Sequence, residues 1–159
     1  MVTQKQYEFV KEHFEAENQR EDLLTRKAQI FLSINSFVIT AMLFKVKDLV
    51  SVVKDIKCDL ILVPLILSFI FILISCIFIF ETLKIRSYEL PTNEDTLIDE
   101  FDNNISNDDF IDNRTADYLV ATRRNKSVND LKADRLKYSL LFIILGYVTS
   151  FTFITFLVI

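Results

Sequence analysis

Glycine is almost absent from this chain of 159 residues, which has one glycine, two prolines and no tryptophan. Because soluble domains use glycine and proline in many of their turns, this scarcity favours long helices with few connections. The single histidine excludes a histidine-based metal site or triad within one chain, and the lone glycine, Gly146, excludes a glycine-rich phosphate loop. We therefore expect a protein that is not an enzyme and that needs neither a metal nor another cofactor.

Apolar residues make up 51% of the chain and are concentrated in three segments, 28–44, 60–80 and 138–159. At about 1.5 Å per residue, a helix over 60–80 reaches roughly 31 Å, the thickness of a hydrocarbon core. Pro64 falls near the start of that segment, where a missing N–H costs little. The sequence predicts an all-α integral membrane protein with three transmembrane helices and cytosolic helical extensions.

Basic residues are distributed unequally among the connections between the spans. The N-terminal arm and the long stretch 81–137 together hold 14 of them, and residues 45–59 hold four. The positive-inside rule then predicts a multi-pass membrane protein with a cytoplasmic N-terminus and an external C-terminus. If segment 28–44 instead lay at the membrane interface, the N-terminal arm and residues 81–137 would no longer lie on the same side of the membrane. The predicted parts are a cytosolic arm (1–27), three spans (28–44, 60–80, 138–159), an external hairpin (45–59) and a cytosolic acidic loop with a basic helix (81–137).

Helix-capping patterns predict where the cytosolic helices begin. Thr3-Gln4-Lys5-Gln6 has capping-box spacing, which predicts one long helix from about residue 4 into the first span. Residues 88–117 contain ten acids and one arginine, and this composition predicts a mobile loop with a short helix after Thr92. Ser127-Val128-Asn129-Asp130 has the same spacing and predicts a second helix that continues into the third span. Its basic residues Lys132, Arg135 and Lys137 are expected to snorkel towards the head groups.

A polar stripe runs along the first span. Gln29, Ser33, Ser36 and Thr40 recur at helical spacing and therefore share one face, which must meet protein or water because lipid cannot satisfy it. Asn35 lies about 120° away around the helix and marks a second polar contact. In the third span, Gly146 and Ser150 form a small-xxx-small pair that allows close helix packing. The candidate membrane-interface or pore-lining residues are Gln29, Ser33, Asn35, Ser36, Thr40, Gly146 and Ser150, and packing within one three-helix unit is the simpler alternative for all of them.

Arg123, Arg124 and Lys126 form a basic cluster in the long cytosolic connection. They are the candidate ligand-binding residues, either for an anion such as a nucleotide phosphate or for the acidic loop of the same chain. The simpler interpretation, which we favour, is that they mark the cytosolic side of the membrane near anionic head groups.

Two segments carry a resemblance to a known class of proteins. The first is REDLLTRKAQIFLSINSFVITAML, which leads from the arm into the first span, and the second is VNDLKADRLKYSLLFIILGYV, which enters the third. Together with the order of spans, they resemble the SLATT-like and Pycsar transmembrane effectors of bacterial antiphage defence. The resemblance implies oligomerisation, activation by a nucleotide signal and damage to the inner membrane, although this chain carries no cyclic-nucleotide-binding domain.

We therefore expect a membrane effector that oligomerises and permeabilises the bacterial inner membrane on a cytosolic signal. Its expected partners are the lipid bilayer, further copies of itself and a cyclic nucleotide or cytosolic signalling protein, without nucleic acid. The alternative is a small oligomeric membrane scaffold or regulatory subunit that holds a cytosolic partner.

Overall fold

The computed structural model describes residues 2–56, 62–85, 89–92, 94–103 and 105–158, and within them the regular structure is entirely helical. Four helices follow one another: α1 (Gln4–Ile56), α2 (Leu62–Lys84), α3 (Glu94–Asp102) and α4 (Asn107–Val158). The helices α1, α2 and α4 each contain an 18-residue stretch apolar enough to cross a membrane. This is the pattern of a multi-pass membrane protein, and it agrees with the predicted all-helical class.

The start of α1 is set by the predicted capping box. The N–H of Gln6 donates to Thr3 Oγ1 at 3.4 Å, and the N–H of Thr3 donates to Gln6 Oε1 at 2.9 Å. No glycine or proline follows within α1, so nothing interrupts the helix. The single helix predicted from about residue 4 into the first span is confirmed. It also continues through Ile56, so the hairpin predicted for 45–59 is helical over 45–56, and 57–59 lie outside the described residues.

The start of α4 differs from the prediction. Ser106 caps this helix: its Oγ accepts the N–H of Asp109 at 3.2 Å, and its hydroxyl donates to the Asp109 carboxylate at 2.6 Å. Asp108 and Asp109 in the first turn complement the helix dipole. The helix predicted to begin at Ser127 therefore begins about 20 residues earlier, and the second half of the predicted acidic loop is helical. The short helix predicted after Thr92 is confirmed as α3.

The chain divides into two compact units. The charged unit contains Met1–Leu24 and Ile85–Lys132, and the apolar unit contains Thr25–Lys84 and Ala133–Ile159. In the apolar unit, α2 buries residues at alternating spacings of four and three, as expected for helices that pack at a shallow angle. These residues are Ser68, Ile72, Ser75, Ile79 and Thr82. Three of the five are polar, so the helix interface in this unit combines aliphatic packing with hydroxyl contacts.

Candidate functional site

The polar stripe of α1 lies on the outside of the apolar unit. Gln29, Ser33, Ser36 and Thr40 are all exposed. The Ser33 hydroxyl donates to the Gln29 carbonyl at 3.0 Å, and the Thr40 hydroxyl donates to the Ser36 carbonyl at 2.8 Å, so both bond within their own helix. The protomer does not use this face for its own packing. It remains available to water or to another helix.

Asn35 instead lies inside the apolar unit, where it is 1% exposed. Its Nδ2 donates to Ser75 Oγ at 2.9 Å and approaches Cys76 Sγ at 3.6 Å. Ser75 Oγ lies 3.0 Å from Ser139 Oγ, so one chain of hydrogen bonds joins α1, α2 and α4. All three side chains are buried, and each hydrogen bond satisfies a polar group that a hydrocarbon environment would leave unsatisfied. Asn35 therefore packs within the protomer.

Gly146 and Ser150 form one of the contacts between α4 and α2. The Ser68 hydroxyl donates to the Gly146 carbonyl at 2.9 Å, and Ser68 Oγ lies 2.5 Å from Ser150 Oγ. A Cβ at position 146 would stand 2.9 Å from Ile72 Cγ1 and 3.5 Å from the Ser68 carbonyl oxygen. The absence of a side chain at Gly146 is what allows the backbones to approach so closely. This small-xxx-small pair is thus occupied within the protomer.

The three cations of the predicted ligand site are exposed on α4 in the charged unit. Arg124 Nη1 lies 2.5 Å and 2.7 Å from the two carboxylate oxygens of Glu89, so this arginine contacts the acidic stretch, one of the alternatives stated above. Two residues of α-helix correspond to a rotation of about 200°, so Arg124 and Lys126 point to nearly opposite sides of α4. Arg123 and Lys126, three residues apart, share a face. The helix therefore does not present all three cations to one anion.

Arg114 is a buried cation that sequence reasoning did not single out. It is 5% exposed, and its Nη2 lies 2.7 Å from Glu100 Oε2. Asp117 Oδ2 lies 3.3 Å from Nη1, which also donates to Thr92 Oγ1, and the guanidinium stands 5.5 Å from the Phe110 ring centroid. The signal in the sequence was that Arg114 is the one base among ten acids. It holds α3 and the segment before it against α4.

Asn125 provides the second buried anchor of the acidic stretch. It accepts the backbone N–H of Glu89 at 2.9 Å and donates to the Glu89 carbonyl at 3.0 Å. Both halves of the side-chain amide are thereby satisfied by one residue of the connecting segment. Glu89 is consequently held beside α4.

Polar and charged side chains join α1 to α4 in the charged unit. Asn129 donates to both the backbone carbonyl and the carboxylate of Glu17, at 2.8 Å each. Arg20 Nη2 lies 2.7 Å from Asp130 Oδ1, and Lys132 forms an ion pair with Glu21. The Lys132 side chain is 4% exposed, so the prediction that it snorkels towards head groups is wrong.

Aromatic rings add to this pairing in the charged unit. The Tyr118 ring makes edge contacts with Tyr7 at 5.9 Å and with Phe14 at 5.3 Å between centroids. Burial among these rings raises the pKa of the Tyr118 phenol, and the nearby Tyr7 raises it further. Within the described residues, no group of three or more His, Cys, Asp or Glu side chains could hold a metal ion.

No protein-family model, curated protein or solved structure matches this chain. The resemblance to antiphage effectors therefore stays a prediction.

Proposed function

We propose that this protein is a non-enzymatic membrane effector that assembles into homo-oligomers and permeabilises the bacterial inner membrane. The observation that carries the proposal is the outward position of the Gln29, Ser33, Ser36 and Thr40 stripe. In this unit the side chains of Asn35, Ser68, Ser75 and Ser139 are buried in contacts between helices, whereas the four stripe residues are exposed. Because the Ser33 and Thr40 hydroxyls already bond to carbonyls of α1, the Gln29 amide is the stripe group that gains most from water or another polar helix surface.

The energetics favour assembly through many copies. An interhelical hydrogen bond in a membrane contributes only about 0.6–2 kcal/mol. One protomer has four stripe residues, so a pair of copies gains little, whereas a closed ring gains the same contact at every interface. In such a ring the amide of Gln29 and the hydroxyls of the stripe meet their neighbours or line a wet path across the bilayer.

The proposed orientation places the N-terminus in the cytoplasm and the C-terminus outside, on the basis of the basic-residue count. The charged unit then faces the cytoplasm, where a cyclic nucleotide or a signalling protein would reach it. Arg123 and Lys126 are exposed neighbours there, while Arg124 is held by Glu89. Because α1 is one helix from Gln4 to Ile56, a change in the arm is transmitted along a continuous helix to the stripe.

Induced expression in bacteria tests the proposal. Strong expression raises the assembled fraction by mass action, so wild-type protein should collapse the membrane potential and admit an impermeant dye. The triple variant Ser33→Leu, Ser36→Leu, Thr40→Leu should leave both intact at equal abundance in the membrane fraction. The matched control is Thr152→Leu with Thr155→Leu, because these exposed hydroxyls also bond to carbonyls of their own helix. The proposal is wrong if wild-type cells keep their potential, or if the triple variant behaves like wild type.

A groove on the charged unit favours a second function, a small membrane scaffold or regulatory subunit that holds a cytosolic partner. The groove has a volume of about 480 Å³ and a mainly apolar lining from α1 and α4. Its apolar residues are Val2, Phe9, Val10 and Leu119, of which Phe9 and Leu119 are more than half exposed. Recovery of one stoichiometric soluble partner, without permeabilisation and with loss of binding in Phe9→Ser, would support the scaffold over the effector.

A further inference from the structure

The three spans of the apolar unit are not held equally. Between residues 25 and 44, α1 buries only Ala28 and Asn35. Over its length α2 buries five residues, and α4 buries five more in this unit: Leu136, Ser139, Ile143, Gly146 and Phe153. Since packing contacts are a main source of energy between helices in lipid, residues 25–44 of α1 are held more weakly than the buried faces of α2 and α4 in this unit.

Several contacts fix α2 and α4 together without α1. The Phe78 ring stacks on the rings of Phe142 and Tyr138, each with a centroid separation of 5.7 Å. Arg135 Nη1 lies 2.9 Å from Glu81 Oε2, and its guanidinium stands over the Phe78 ring. Together with the Ser68 hydrogen bonds to Gly146 and Ser150, these contacts join α2 to α4 without involving α1.

Asn35 is the one polar residue that α1 buries between positions 25 and 44. Its amide donates to the hydroxyl of Ser75, which lies within hydrogen-bond distance of Ser139. Asn35 therefore meets the α2–α4 pair where α2 and α4 are themselves joined by a polar contact. Ala28, seven residues earlier, is the other buried position on the same line of α1. Between residues 25 and 44, the buried surface of α1 is therefore one amide and one methyl group.

We infer that the Asn35–Ser75 hydrogen bond is a clasp, and that residues 25–44 of α1 separate from the α2–α4 pair when the clasp opens, while residues 17–21 stay paired with α4 in the charged unit. Released α1 carries two polar faces, the outward stripe and Asn35, and can satisfy both against neighbouring copies. Switching between two packings of a helix requires that they differ by a small free energy, and a single membrane hydrogen bond meets that condition. The consequence for leakage rests on the proposed function, while the movement of α1 does not.

Cross-linking tests the consequence. Asn35→Cys places a thiol beside the native Cys76, whose Sγ lies 3.6 Å from Asn35 Nδ2, in a Cys58→Ser background. Oxidation of purified protein in dye-loaded phosphatidylethanolamine–phosphatidylglycerol vesicles should stop dye release, and reduction should restore it. The matched control joins α2 to α4 through Ser68→Cys and Ser150→Cys, with Cys58 and Cys76 changed to Ser, and should keep releasing dye when oxidised. The inference is overturned if the α1–α2 cross-link leaves release unchanged, or if both cross-links stop it equally.

Opening the clasp by substitution should have the opposite effect. Asn35→Leu keeps the branched shape and the number of side-chain heavy atoms but removes the amide, so dye release should increase about three- to tenfold, the range that corresponds to losing one or two membrane hydrogen bonds. Thr152→Val, which removes an exposed hydroxyl bonded to its own helix, should leave the rate as in wild type. An unchanged or lower rate in Asn35→Leu contradicts the clasp.

A distance measurement separates failure of the clasp from failure of the proposed function. Spin labels at exposed Phe37 on α1 and Thr152 on α4 report on release, and labels at Ile77 on α2 and Thr152 report on the pair. Asn35→Leu should broaden the first distance distribution and leave the second unchanged, whether or not any protein leaks. The inference fails if the first distribution stays narrow or if both broaden together. If vesicles with wild-type protein stay sealed while Asn35→Leu broadens the Phe37–Thr152 distribution, the proposed function is wrong and the clasp is supported.

Discussion

Lys132 and Glu21, which are 111 positions apart in the chain, form an ion pair between α4 and α1 within the charged unit. The lysine side chain is 4% exposed and the glutamate side chain 27% exposed. An ammonium group so deeply buried is stable only while a carboxylate faces it. The pair therefore makes the folding of the charged unit depend on the alignment of these two helices.

Removing the carboxylate is expected to destabilise the charged unit. Glu21→Ala leaves the ammonium of Lys132 buried without its partner, and the free energy of unfolding should fall by about 2–4 kcal/mol. Lys11→Ala is the control, because Lys11 and Glu15 are half-exposed at 3.9 Å and such a pair contributes at most about 0.5 kcal/mol. Denaturant titration of the protein in detergent, followed by circular dichroism, measures both. Equal stability of the two variants would contradict the structural role of the ion pair.

Two similar capping patterns, at Ser106 and at Ser127, show how far the sequence alone can locate the start of α4. Ser106 and Ser127 are each followed by Asp at the third position, so local spacing cannot distinguish a helix start from a position inside a helix. Burial on α4 recurs every three or four residues through this region, at Ala121, Asn125, Asn129 and Lys132. Three of these four residues are polar, so a search for apolar periodicity does not detect this buried face of α4.

The polar residues of the spans show a second limit. Their spacing correctly predicted that Gln29, Ser33, Ser36 and Thr40 share a face, because that is a property of one helix. The spacing could not predict that Asn35 meets Ser75, because these residues are 40 positions apart in the chain and their pairing depends on the relative rotation of two helices. The partner of Lys132 was missed for the same reason.

Substitution of Arg114 should release the acidic stretch from α4. Arg114→Lys keeps the charge but cannot contact Glu100 and Asp117 simultaneously through a planar fork. Limited proteolysis at pH 7 should cut residues 89–105 about tenfold faster than in wild type, because the segment opens more often. Arg124→Lys should have a much smaller effect, because its contact with Glu89 is exposed. If Arg114→Lys resists the protease as wild type does, the buried guanidinium does not anchor this segment.

Enlarging Gly146 should separate α2 from α4. In Gly146→Leu the new side chain meets Ile72 and the carbonyl of Ser68 at once, and the overpacking is expected to cost about 1–3 kcal/mol. Thermal unfolding in detergent measures the loss against Val148→Leu, a neighbouring position that is 56% exposed. A melting temperature equal to that of Val148→Leu would show that the close approach at Gly146 is dispensable.

Alkaline pH should weaken the ring cluster of the charged unit. The pKa of Tyr118 is raised in the fold, so the unfolded chain loses this proton at a lower pH than the folded protein does. The contribution of protonated Tyr118 to the free energy of unfolding is fully present below the ordinary tyrosine pKa of about 10. It is lost as the pH rises through the raised pKa of the folded protein. Tyr118→Phe should therefore lose less stability than wild type between pH 9 and pH 11 in the same detergent titration. An identical slope in the two proteins would exclude Tyr118 as the source.

Dye release from vesicles, measured against the protein-to-lipid ratio, tests the central claim most directly. If the outward stripe of α1 assembles copies into a permeable structure, release by wild-type protein should rise more steeply than in proportion to protein. The Ser33→Leu, Ser36→Leu, Thr40→Leu variant, inserted to the same level, should release little dye at any ratio. Release by that variant at the wild-type rate would contradict the account.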